Sequence, residues 1–248
     1  MSTLGVIVFS LRGRRHLTQC LESVQWAHAV SVIHLSKGGS SIEPDALLSS
    51  GSEKGLSKVD VKRPSPWIRT DWILHLWEEE RVEGELRDEL LTLCRMEAPA
   101  APRSYRIPIR SRILGRWVEG SLWEPSPAIR LSREVRDLCP GWWQDQERTP
   151  DAPKLRHGWI GDYSSAELSG AVNRINAVSG LWAEQLQAAG RSLGVLAMTA
   201  GPLRVLMRLL FRNGLIAYGL AGWTLSALAA YAVLASGMKL WERAEHRL

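Results

Sequence analysis

The chain has 248 residues, of which 45% are apolar and 23% charged, and its net charge is +5. This length suits one large domain or one domain with an appendage, and the apolar content excludes an intrinsically disordered chain. The positive charge favours anionic partners such as nucleotide phosphates or lipid headgroups. The twelve tryptophans suit membrane interfaces, sugar-stacking faces and half-buried surfaces. The arginines form no compact nucleic-acid-binding motif, so nucleic acid is not an expected partner.

The first part of the chain alternates strands and helices as α/β proteins do. The apolar run LGVIVF (residues 4–9) predicts a buried strand; it is too short for a signal peptide, and its basic neighbours follow it rather than precede it. Helical spacing predicts a helix over residues 16–24, and residues 29–35 predict a second strand. Residues 36–55 are rich in Ser and Gly and predict a loop. The cysteines, Cys20, Cys94 and Cys139, have no metal-binding spacing and are expected to be reduced thiols.

A third strand is predicted over residues 72–76, within the segment DWILHLWEEERV (residues 71–82). It is followed by the acidic run Glu78, Glu79 and Glu80. These glutamates favour the first turn of a helix over residues 78–91, because carboxylates stabilise a helix N-terminus. Alternatively, they lie at the carboxyl edge of a parallel sheet, where α/β proteins place binding groups. An amphipathic helix over residues 85–96 follows, and APAAP (residues 98–102) ends it.

The rest of the chain divides into a strand-rich and a helical part. Residues 104–134 alternate Arg with apolar residues and predict two or three strands. Residues 139–157 predict a loop. A helix is predicted from residue 164 to about residue 193, and a basic amphipathic segment follows over residues 203–212.

The C-terminal segment has the features of a membrane-contacting element. Arg204, Arg208 and Arg212 recur every fourth residue, and no charged residue follows until Lys239. The uncharged run is long enough to cross a hydrocarbon core of ~30 Å. Arginines on one flank, with Trp223 and Trp241, would anchor it at the interface of the cytoplasmic leaflet. The alternative is a buried helical hairpin that turns at residues 213–214 and packs residues 215–234 against residues 168–182.

Six segments in chain order carry recognisable motifs. They are CLESVQWAHAVSVIHL (20–35), DWILHLWEEERV (71–82), YRIPIRSRILGRW (105–117), GSLWEPSPAIRLSRE (120–134), DYSSAELSGAVNRINAVSGLWAEQLQAAGRS (162–192) and NGLIAYGLAGWTLSALAAYAVLASGMKLWE (213–242). Together they resemble the family 2 glycosyltransferases, particularly the lipopolysaccharide-core glucosyltransferase type. The resemblance implies a GT-A (Rossmann-like) mixed α/β sheet flanked by helices over residues 1–160. It also implies a helical, membrane-proximal extension over residues 161–248.

The resemblance also implies where a donor site would lie. In these enzymes an Asp-X-Asp pair after the central strand holds a divalent cation on the leaving nucleoside diphosphate. Here Trp77 stands at the first aspartate and Glu79 at the second. The implied donor-site residues are Ser10, Arg12, His34, Ser36 and Trp77, with Glu79 as metal ligand and Glu124 as general base if the protein is active. We expect Trp77 to fill part of the donor crevice; the alternative is that it stacks on a sugar or base.

Four carboxylates of the family's donor and catalytic site are replaced, whereas the scaffold motifs remain. The resemblance therefore predicts a catalytically degenerate member that needs no cofactor. It would serve cell-envelope glycan or lipopolysaccharide assembly as a membrane-associated scaffold or as a glycan- or partner-binding subunit. It would lie on the cytoplasmic side of the inner membrane, held peripherally or by its C-terminal segment. The alternative is an active inverting glycosyltransferase that uses Mg²⁺ or Mn²⁺ with a nucleotide-sugar donor.

Overall fold

The computed structural model describes residues 2–11, 14–34, 70–95, 102–122, 127–133, 152–188, 190 and 195–245. Contacts divide the chain into two units. Unit 1 contains Met1–Ile109 and Ser126–Asp162, and unit 2 contains Arg110–Pro125 and Tyr163–Leu248. Residues 110–125 thus group with the helical segment, whereas the sequence analysis places them in the domain of residues 1–160.

The described elements alternate strands and helices in the first part of the chain and are helical in the last. In chain order they are β1 (Leu4–Ser10), α1 (Arg14–Ser23), β2 (Ala29–His34), β3 (Trp72–Trp77), β4 (Glu80–Glu83), α2 (Leu86–Arg95), β5 (Ser104–Ile107), β6 (Ile109–Ile113), β7 (Arg116–Glu119), β8 (Ala128–Ser132), β9 (Trp159–Asp162), α3 (Leu168–Ala188), α4 (Val195–Met207) and α5 (Leu220–Glu245). A π-helical turn (Arg208–Arg212) and a 3₁₀ turn (Leu215–Tyr218) connect α4 to α5.

Unit 1 is built on a mixed five-stranded sheet with the order β2-β1-β3-β8-β5. β1 pairs in parallel with both β2 and β3, and β8 runs antiparallel to β3 and β5. Every residue of β1 and β3 is buried, as expected for parallel strands covered on both faces. The predicted α/β class is confirmed, and β1, β2 and β3 are neighbours as expected, but β2 lies at the edge of this sheet rather than at its centre. Phe9 pairs with Trp77 at the carboxyl ends of β1 and β3. Residue 35 lies outside the described residues.

The helix predicted over residues 78–91 is wrong. Glu78 and Glu79 form a tight turn, and β4 follows and pairs antiparallel with β9. The helix begins only at Leu86, after Gly84 with φ of +60°. The N-terminal dipole bonus for acidic residues is only ~0.3–1 kcal/mol per group. The β4–β9 ladder and the burial of Glu78 and Glu80 outweigh it.

The structure also differs in detail from the predictions for the later parts of the chain. The described parts of residues 104–134 contain four strands rather than two or three, because Pro108 separates β5 from β6 and residues 114–115 form a separate turn. The predicted helix over residues 85–96 is confirmed as α2, which buries Leu86, Leu90 and Cys94 against the core. α3 ends at Ala188, and residue 193 lies outside the described residues.

Unit 2 contains a β-hairpin and a group of packed helices. β6 and β7 pair antiparallel, and α5 packs against both α3 and α4. Gly214, with φ of +70°, lies between the π-helical and 3₁₀ turns that connect α4 to α5. Of the described helices, α5 alone has the length and apolarity needed to cross a membrane, and 56% of its most apolar stretch is buried inside the protein.

The β6–β7 hairpin contains a strained residue. Leu114 and Gly115 form the two-residue loop between the paired residues Ile113 and Arg116, with φ of +47° and +74°. Both positive angles indicate a type I′ turn, whose first position favours Asn. A leucine in this region costs roughly 1–2 kcal/mol.

We therefore expect Leu114→Asn to stabilise the protein. The free energy of unfolding should rise by about 0.5–1 kcal/mol, because Asn tolerates the left-handed region. Urea denaturation measures the change. Leu114→Val is the matched control and should lower stability, because a β-branched side chain fits positive φ worse. An Asn variant no more stable than the Val variant would contradict the strain.

Candidate functional site

The carboxyl ends of the three parallel strands meet at one edge of the sheet. Ser10 pairs with His34, and Phe9 pairs with Trp77. Such an edge is where open α/β sheets bind ligands. The structure therefore brings Ser10, the backbone of His34, Trp77 and the acidic turn into one neighbourhood.

Trp77 belongs to the core of unit 1. Its side chain is only 3% exposed, and its ring lies 5.8 Å from that of Phe9 between centroids. Its backbone N–H donates to Glu80 Oε2 at 2.8 Å, and its carbonyl accepts from Cys20 Sγ at 3.5 Å. With so little surface exposed, the indole has no open face on which a sugar or base could stack.

Glu78 joins the ends of β1 and β3. It is buried, and its Oε2 accepts from Ser10 Oγ at 2.6 Å while its Oε1 accepts from the Leu11 N–H at 2.9 Å. Its own N–H donates to the Phe9 carbonyl. Both carboxylate oxygens thus have donors from the protein, in charge-assisted hydrogen bonds that hold the chain after β1 in place.

Glu80 forms a buried ion pair with Arg130. The guanidinium contacts both carboxylate oxygens, at 2.9 and 2.7 Å, and both side chains are at most 1% exposed. Arg130 also donates to the His75 carbonyl at 3.2 Å. This bidentate arrangement, with the N–H of Trp77 on the same carboxylate, provides the geometry that a buried pair needs to offset desolvation.

Cys20 lies beside the acidic turn and stays a neutral thiol. Burial raises its pKa, and the charges of Glu80, Glu79 and Glu78 raise it further. Only a thiolate binds a metal well or acts as a nucleophile. Cys20 therefore adds no ligand or nucleophile to this edge of the sheet.

The donor set fits a divalent cation poorly. Glu79, the predicted metal ligand, is partly exposed in the turn, but Glu78 and Glu80 on either side direct their oxygens to protein donors. Within the described part of the chain, no group of three or more His, Cys, Asp and Glu side chains could hold a metal ion. Mg²⁺ and Mn²⁺ require several oxygen ligands. The side chains at this edge therefore do not support a catalytic step through a metal.

The other predicted site residues fall into three groups. Arg12, Ser36 and Glu124 lie outside the described residues, as does the side chain of His34. Ser10 is engaged with Glu78. The predicted membrane residues Arg204, Arg208, Arg212, Trp223 and Trp241 are all exposed in unit 2.

Two buried charged residues in the described part of unit 1 were not singled out from the sequence. Arg130 lies in β8, where all five residues are buried. Asp162, also buried, stands opposite Glu80 in the β4–β9 ladder. The available signal for Arg130 was an arginine inside the apolar run AIRL, because a buried arginine needs an acidic partner. The sequence alone does not identify that partner.

We expect the loss of Arg130 alone to destabilise the protein more than the replacement of both partners of the ion pair. Arg130→Met should lower the free energy of unfolding by about 3–5 kcal/mol, because Glu80 is left buried without its counter-charge. Adding Glu80→Gln should recover much of this loss, since the amide still accepts from the Trp77 N–H. Urea denaturation of both single variants and the double variant measures the coupling.

Arg133→Met is the matched control for that cycle. Arg133 is exposed and stacks over Trp72, with its guanidinium carbon 4.6 Å from the ring centroid. Its loss should cost under about 1 kcal/mol. Equal losses at Arg130 and Arg133 would contradict the structural role of the buried pair.

No protein-family model matches this chain, and no curated protein matches it significantly in sequence. The function therefore has to be argued from the site itself and from the motifs quoted above.

Proposed function

We propose that this chain is a catalytically degenerate, GT-A-type protein related to the family 2 glycosyltransferases. It serves cell-envelope glycan or lipopolysaccharide assembly as a membrane-associated scaffold, or as a subunit that binds a glycan or a partner protein. The order of the motifs and the neighbouring parallel strands β2, β1 and β3 support this proposal. The observation that carries it is the use of Glu78 and Glu80 as internal structural groups.

The chemistry of sugar transfer explains why that observation matters. A nucleoside diphosphate gains a further negative charge on its phosphates as it leaves, and a bound cation stabilises that charge. At the end of β3, Trp77 packs in the core, Glu78 binds Ser10 and Leu11, and Glu80 binds Arg130. Among the described carboxylates of this turn, Glu79 would have to hold the cation. One carboxylate is a weak site for Mg²⁺ or Mn²⁺.

Membrane association is the second component of the proposal. The exposed residues Arg204, Arg208 and Arg212 would face anionic headgroups of the cytoplasmic leaflet. α5 has the length and apolarity that crossing a bilayer requires. The resemblance to enzymes with a membrane-proximal C-terminal extension supports the same location.

The competing function is an active inverting transferase with Glu79 as metal ligand and Glu124 as general base. It requires nucleotide-sugar binding that depends on a divalent cation. The partial exposure of Glu79 is the one described feature that favours it.

Calorimetry distinguishes the two functions. We titrate the full chain with a panel of nucleotide-sugars, with Mn²⁺ and then with EDTA. The degenerate protein should give no saturable heat that depends on Mn²⁺, because the donor set lacks the second carboxylate. Glu79→Gln should behave as the unchanged chain does.

The opposite result would establish the competing function. Saturable heat with Mn²⁺ that EDTA and Glu79→Gln both abolish would show that Glu79 holds a cation. The Glu124→Gln variant then tests catalysis, since loss of a general base lowers turnover and leaves donor binding intact.

A further inference from the structure

α5 carries an exposed apolar stripe along most of its length. Every exposed residue of this helix from Leu220 to Trp241 is apolar. The largest are Leu220, Trp223, Tyr231, Met238 and Trp241, and Leu220 is 75% exposed. At 3.6 residues per turn, spacings of three, eight, seven and three residues keep all five within about 80° of the helix circumference, so they share one face of the helix. We call these five side chains the α5 stripe.

A cationic row lies next to the start of this helix. Arg204, Arg208 and Arg212 are all exposed and recur every fourth residue, so they align on one helix face. Each arginine directly follows an exposed apolar residue, and these residues form an apolar row alongside: Leu203, Met207 and Phe211. The sequence contains no Asp or Glu between Glu184 and Glu242. The region therefore combines positive charge with exposed apolar surface, and this stretch of the sequence contributes no acidic residue to it.

The opposite face of α5 is held inside unit 2 by polar contacts. Lys239 Nζ donates to the Asn176 carbonyl at 2.5 Å and to Ser179 Oγ at 2.8 Å, both on α3. Arg243 forms an ion pair with Glu184 at 2.6 Å. A spanning α5 would have to break these contacts and carry Lys239 towards the hydrocarbon, which is costly. The packing therefore opposes a transmembrane α5.

We propose that unit 2 docks on an anionic bilayer with α5 lying in the plane of the interface. The α5 stripe enters the boundary between headgroups and acyl chains, and Arg204, Arg208 and Arg212 bind lipid phosphates. An apolar face with indoles near both ends, beside a row of arginines, is the chemistry of interfacial helices. This mode of docking rests on the membrane association in the proposed function and defines its geometry.

Lipid fits this surface better than a second copy of the chain does. Two copies that met through the α5 stripe would each bring an arginine row to the same region, and like charges repel. An anionic bilayer neutralises the arginines and covers the stripe at the same time. The occupant is therefore a lipid surface.

Flotation with vesicles tests the proposal on the full chain. Vesicles of phosphatidylcholine, with and without phosphatidylglycerol, are compared at low and high salt. The protein should float only with phosphatidylglycerol, high salt should weaken its binding, and alkaline carbonate should release it. Interfacial helices behave in this way, whereas a spanning helix stays in the membrane.

Two sets of variants locate the surface. The stripe variant Leu220→Gln/Trp223→Gln/Met238→Gln should lose flotation, and the control Leu168→Gln/Val172→Gln, at exposed positions of α3, should keep it.

The row variant Arg204→Gln/Arg208→Gln/Arg212→Gln should bind on the order of 100-fold more weakly at low salt. Its control, Arg87→Gln/Arg95→Gln/Arg156→Gln, removes three exposed charges from unit 1 and should bind as the unchanged chain does. Thermal melting confirms that each variant folds.

The outcomes separate this inference from the proposed function. Flotation of the unchanged chain with equal flotation of the stripe and row variants overturns the docking surface alone. Retention after carbonate overturns the in-plane geometry in favour of a spanning helix. A dimer in solution that only the stripe variant dissociates shows that a second copy is the occupant, and overturns the proposal. Failure of the unchanged chain to float overturns both the inference and membrane association, whereas the calorimetric result on Glu79 stands independently.

Discussion

The buried ion pair between Glu80 and Arg130 connects three strands of unit 1. Glu80 begins β4, Arg130 lies in the middle of β8, and the pair also contacts the backbone of β3 through Trp77 and His75. Taking two charges out of water costs several kcal/mol for each ion, so the pair is tolerable only with complete hydrogen bonding. That requirement selects one sheet order and one path for the chain after β3. The position of the end of β3, and of any ligand that binds there, therefore depends on this ion pair.

This constraint changes how the acidic residues at the sheet edge should be interpreted. A carboxylate cannot bind a cation strongly while both its oxygens accept charge-assisted bonds from the protein. Glu78 and Glu80 are in that situation, and the indole of Trp77 packs beside them. The edge therefore resembles a ligand site in its topology and a core in its contacts. Its described carboxylates hold the strands together, which is the observation on which the proposed scaffold role rests.

The sequence predicted those parts of the fold that depend on local patterns. The continuous apolar runs of β1 and β3 predict buried strands, and the amphipathic spacing of α2 predicts a helix. The turn at Glu78 could not be predicted, because an acidic run after a strand equally suits a helix N-terminus. In addition, Arg130, which pairs with the nearby Glu80, lies fifty residues further along the chain. Arg alternates with apolar residues along β5 to β8, and this alternation does not indicate which arginine is buried.

The candidate site was predictable only in position. Strand order places Ser10 and Trp77 at one edge, but their hydrogen-bond partners are set by tertiary packing.

The uncharged C-terminal segment was ambiguous for a related reason. Ala, Ser and Gly suit both a lipid-facing helix and a tightly packed one, and the polar contacts of Lys239 and Arg243 with α3 appear only in three dimensions.

The π-helical turn at Arg208–Arg212 has a geometric consequence for the arginines around it. In an α-helix, four residues advance about 40° beyond a full turn, so a side chain repeated every fourth residue winds slowly around the axis. In the wider π turn, where the Asn213 N–H donates to the Arg208 carbonyl, four residues fall short of a full turn. The step from Arg204 to Arg208 and the step from Arg208 to Arg212 therefore deviate in opposite directions. Arg212 thus returns close to the angular position of Arg204, with Arg208 displaced to one side, and the row stays on one face instead of winding around the axis. A helix lying flat on a surface can hold that whole face against it.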